Sequence, residues 1–65
     1  MSYDYVRRAY GVDPKVGQRV KHKVTGTSGV IVREDKSQSH YIKVRFDEYK
    51  HAMPCHPTEL DYLPL

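Results

Sequence analysis

Two short stretches of this 65-residue chain alternate apolar with polar residues and a third is a β-branched run, and none is long enough to be more than one strand of a small sheet. "QRVKHKV", residues 18–24, puts Val20, His22 and Val24 on one face and Arg19, Lys21 and Lys23 on the other. "VIVRE", residues 30–34, is β-branched and reads as a second strand, with Val30 and Val32 facing together. "HYIKVRFD", residues 40–47, points Ile42, Val44 and Phe46 inward and Tyr41, Lys43 and Arg45 outward. A chain of this length holds one domain, near the lower limit at which a single core sustains a fold, and leaves little room for an internal substrate cavity.

The connections agree with that reading. "TGTSG" and "DKSQS" are loops of residues that tolerate unusual backbone angles, and "DEYK" suits a tight turn. "HAMPC" is a fourth strand in which Pro54, lacking an N–H, requires an edge or a bulge. In "HPTEL", Pro57 presets one turn of helix and Glu59 adds a favourable charge near its start; "DYL" is a last short strand. At the other end, Ser2 is expected to cap a short helix with Asp4 in its first turn, Arg7 and Arg8 in its last, and Gly11 as its stop. Tyr3, Val6 and Tyr10 form its apolar stripe, and two turns of helix need something to pack on, so the stripe is expected to cover an open end of the sheet. "GVDPKVGQ" connects the two parts. The expected fold is mainly β: a small, strongly bent barrel of about five short antiparallel strands, with a short N-terminal helix and a one-turn helix before the last strand. It is read as a single domain over residues 1–65, with helix and linker over 1–13 and barrel over 15–63.

This order of strands, loops and single helical turn resembles the SH3-like barrels. Within it, "VGQRVKHKVTGTSGVIVRE" resembles a KOW-type segment, the likeness being carried by Gly17, Gly26, Gly29 and Val30. The resemblance implies a small binding barrel; such barrels take nucleic acids or peptides, or support larger enzymes. The chain departs from ribosomal and transcription-factor KOW proteins in its small excess of positive charge and in a glycine loop that is not basic. The ending "PCHPTELDYL" is similar to small uncharacterised bacterial and prophage proteins, which implies a phage or mobile-element origin and no activity.

Eleven Lys and Arg against eight Asp and Glu leave a net charge of +3, concentrated in residues 1–34, with seven basic and three acidic side chains there. One cysteine cannot form an internal disulfide, which suits a reducing compartment. The opening "MSYDYVRRAYGV" has no apolar run like a signal peptide, and no window approaches the roughly 18 apolar residues of a membrane span, so a cytoplasmic protein without membrane contact is expected. His22, His40, His51, Cys55 and His56 contain no C-x2-C-like pair. On one extended strand His51 and Cys55 would lie about 13 Å apart, too far to share a metal or to act as thiol and base. Cys55 therefore reads as a small, half-buried core residue and His22 as a core or edge histidine. No metal, no cofactor and no catalytic residues are expected: Asp47 and Glu48 lie in a turn, and no glycine-rich phosphate cradle is present.

Two binding roles follow. The first is a protein-interaction adaptor or regulator with an unidentified protein partner. Six tyrosines exceed what so small a core needs, tyrosine is favoured at interfaces, and an edge strand beside Pro54 offers pairing to an extended peptide. The alternative is binding of RNA or DNA through Arg19, Lys21, Lys23, Tyr41, Lys43 and Arg45, where basic and aromatic groups share outward strand faces. A monomer, or a weak homodimer through an edge strand, is expected.

Overall fold

In a computed structural model, which describes residues 3–64, the alternation of "HYIKVRFD" is realised in β3 (Ile42–Phe46): Ile42, Val44 and Phe46 are buried and Arg45 is exposed. The other strands are β1 (Arg19–His22), β2 (Ser28–Ile31), β4 (Met53–Cys55) and β5 (Leu60–Tyr62). They form one antiparallel sheet in the order β4-β3-β2-β1-β5, curled into a half-barrel. A single 3-10 turn, Pro57–Glu59, precedes β5, with Pro57 at its start; another, Lys36–Gln38, lies in the β2–β3 loop, where the Asp35 carboxylate accepts from the Ser37 amide.

The helix α1 (Asp4–Tyr10) ends at Gly11, whose φ of 68° is the left-handed conformation that an L side chain resists. Its N-cap is Tyr3, while Ser2, the expected cap, lies outside the described residues. Of the expected stripe, Tyr3 and Val6 are fully buried in one cluster with Val20, Ile31, Ile42, Val44, Phe46, Cys55 and Leu60. Tyr10 instead lies at the surface with its ring edge-on to His56, 5.1 Å between centroids. Tyr5, on another side of the helix, packs on His40 at 4.8 Å.

One expectation about facing needs correction. Val24 does not continue the inward face of Val20 and His22. The β1–β2 hairpin closes at His22, whose amide donates to the Thr27 carbonyl and whose carbonyl accepts from the Gly26 amide, so Val24 falls in the turn, 76 % exposed. On β2 Val30 and Val32 share a face as expected, both half-buried, and the core face belongs to Gly29 and Ile31. The cause is the curl of the sheet. It brings β3 so close to β2 that a Cβ on Gly29 would stand 2.7 Å from the Arg45 carbonyl oxygen and 2.8 Å from the Phe46 Cα. Only glycine fits that inward position, and the one-residue register that follows turns Val30 outward.

Candidate functional site

A groove of about 290 Å³ runs beside the edge strand β4, between the β1–β2 turn, the β3–β4 turn and the Pro57–Glu59 turn. Phe46 forms part of its wall at the end of β3, 6 % exposed. Tyr49 stands edge-on to Phe46 with centroids 6.4 Å apart, and His22 does so at 6.2 Å. The Tyr49 amide donates to the Phe46 carbonyl, which ties the aromatic to the turn that the strand generates. Tyr41, just before β3, and Met53 on β4 complete an exposed apolar rim with Tyr49, which is 54 % exposed.

The polar lining is specific in character. His22 Nδ1 accepts from the amides of Val24 and Thr25, so the neutral ring carries its proton on Nε2. His56 Nδ1 accepts from the Thr58 amide and caps the 3-10 turn. Glu59 is held through its backbone: its amide donates to the His56 carbonyl and its carbonyl accepts from the Lys23 amide. Its carboxylate makes no salt bridge among the described residues, and no lysine or arginine lines the groove.

Cys55, in the same lining, is 7 % exposed and belongs to the core. Burial, helped by the Glu59 charge, pushes its thiol up to about 11, so little nucleophilic thiolate exists near neutrality. Its Sγ donates to the Met53 carbonyl at 3.7 Å. Among the described residues no group of three or more His, Cys, Asp or Glu is arranged to hold a metal ion. No helix there is long and apolar enough to cross a membrane.

Of the basic residues singled out from the sequence, Arg19, Lys21, Lys43 and Arg45 occupy strands and Lys23 lies in the turn just after β1, but most already have partners. Arg19 binds Asp47 through both guanidinium branches, at 3.0 and 2.8 Å, and this contact holds the Asp47 carboxyl below the usual carboxylate range. Lys23 pairs with Asp61 at 3.8 Å and Lys43 with Asp35 at 3.4 Å. Lys21 and Arg45 alone of the five make no salt bridge among the described residues. Tyr41, the aromatic of that set, lines the groove with Tyr49 and Met53, and none of the five basic residues does.

A broader, shallower hollow of about 440 Å³ lies where the linker meets β5, lined by Val12, Asp13, Lys15, Gln18 and Tyr62. Its polar groups are occupied: Gln18 Nε2 donates to the Leu63 carbonyl, Gln18 Oε1 accepts from the Lys15 amide, and Lys15 pairs with Asp13 at 3.8 Å. The excess of tyrosines was the sequence signal for the first groove. That Tyr41, Phe46, Tyr49 and Met53 meet there was not visible, because their convergence depends on how β3 and β4 turn. Comparison with family models, with curated proteins and with solved structures gives no match for this chain.

Proposed function

We propose that this protein is a non-enzymatic binding module, an adaptor or regulator that docks a segment of a partner protein in the groove beside β4. The observation that carries this reading is the exposed rim of Tyr41, Tyr49 and Met53 around a wall of Phe46, mounted on hydrogen-bonded strands and turns. Rigid aromatics on a fixed frame give contact area at little cost in conformational entropy. Such a groove binds through side chains, because β4 is a poor template for strand addition. Lys43 turns its N–H and C=O toward the Tyr3 hydroxyl and the Val32 amide on the β2 side, so Pro54 opposite it directs its own backbone to the free edge. That position offers a carbonyl and no N–H.

Three of the five basic residues of the alternative face are engaged by carboxylates, which leaves less charge for phosphate. The test is selection of binders from a random peptide library on the immobilised full chain, with the winners mapped by amide NMR shifts. The expected result is a convergent peptide motif that shifts Phe46, Tyr49, Met53 and Cys55 and is lost in Tyr49→Ala, a variant that should melt like the parent. Failure of any peptide to map there, together with salt-sensitive shifts at Lys21 and Arg45 on adding oligonucleotides, would replace this reading by the nucleic-acid one.

A further inference from the structure

Resting on the groove as a docking site, we infer that its occupant is a basic side chain of the partner protein, an arginine or lysine that lays its apolar stem along the aromatic rim and offers its charge to Glu59. The first ground is the distribution of charge. The chain carries eleven lysines and arginines in 65 residues, yet none lines the groove, and the formal charge there is Glu59.

The second is what the other acids are doing. Asp4, Asp13, Asp35, Asp47 and Asp61 all stand in salt bridges, and Glu34 accepts the amide of Tyr3. Glu48, at the β3–β4 turn, and Glu59 make no side-chain hydrogen bond or salt bridge among the described residues, and only Glu59 is in the groove.

The three classes of occupant then differ physically. A phosphate or carboxylate would meet Glu59 and no cation. A purely apolar segment, proline-rich or aliphatic, would leave the exposed Glu59 carboxylate without a partner and gain nothing from its charge. A basic side chain satisfies both halves of the site. Its methylenes bury against Phe46 and Met53, and its cation is attracted by the negative faces of the tyrosine rings and by the carboxylate.

Two matched pairs of blocked tripeptides test this: acetyl-Gly-Arg-Gly-amide against its citrulline counterpart, and acetyl-Gly-Lys-Gly-amide against its acetyl-lysine counterpart. Each is titrated at millimolar concentration into labelled full-length protein and followed by amide shifts. At least one basic peptide should shift Phe46, Tyr49, Met53 and Glu59 and bind about fivefold or more tightly than its neutral counterpart, about the factor that one charge-assisted contact supplies. Glu59→Gln, which keeps the backbone bonds of the turn, should lower the basic peptide to the level of the neutral one and leave the neutral one unchanged. Equal binding within both pairs, or no response to Glu59→Gln, overturns the inference, as does the absence of groove shifts with every tripeptide. The two readings fail separately. Library peptides that map to the groove but share no basic residue would sink this inference and leave the docking reading standing.

Discussion

The hydroxyl of Tyr3 takes part in the ladder between β2 and β3. It donates to the Val32 carbonyl at 2.6 Å and accepts from the Lys43 amide at 3.1 Å, while the Val32 amide still bonds the Lys43 carbonyl directly. The phenol thus stands where the second bond of that residue pair would close. Tyr3 holds a left-handed φ of 66°, uncommon outside glycine, with its amide bonded to Glu34 Oε1 and its ring fully buried. Tyr3→Phe should therefore cost about 1–3 kcal/mol, since two inner backbone groups lose their partner. Urea denaturation checks this, and an unchanged midpoint would mean that the strands close over the gap. The helical spacing showed that Tyr3 faces the sheet. The role of its hydroxyl was not legible, because its partners are 29 and 40 residues away. Cys55 was legible, as a small apolar residue more than as a reagent. Cys55→Ser should keep the fold. The parent should lose stability as pH rises from the thiol's ordinary 9.0 toward about 11, because the unfolded thiol ionises first while the folded one resists. That loss, about 2–3 kcal/mol, should be missing from Cys55→Ser in melts between pH 8 and 11.

At the scale of elements, the strand pattern was correct where both faces were read from alternation, as in β3, wrong at Val24, where the hairpin ends the strand, and silent on which face of β2 turns inward. Alternation cannot tell which of two adjacent residues, Gly29 or Val30, faces in, because glycine carries no hydrophobic label. The close approach of the β3 backbone decides it. Gly29→Ala should destabilise by about 1–3 kcal/mol or more, since the added methyl meets backbone that cannot rotate away. Ser28→Ala, at the neighbouring half-buried position, should cost less. Denaturant midpoints of the two variants decide between this register and one with Val30 inside. Pro54 behaved as its missing N–H required, on the edge strand with its backbone toward solvent.

For the molecule as a whole, one core joins α1 to all five strands, so damage at its centre should be global. Val44→Asp places a charge at a position with no exposed surface and should abolish the folded circular-dichroism spectrum at 25 °C; a cooperative melt like the parent's would refute the packing described. The sequence by itself determined the elements: alternation sets strands over two-residue periods, Gly11 and Pro57 act on their own backbone, and all of this is local physics. Tertiary structure alone decided which faces and charges remain available. Arg19 meets Asp47 across 28 residues and neutralises part of a face that looked basic on paper. Tyr41, Phe46, Tyr49, Met53 and Glu59 become one groove only because the curled sheet sets two strands and two turns around a common space. Charge pairing and concavity are properties of distances in space, and a sequence specifies those distances only through the fold.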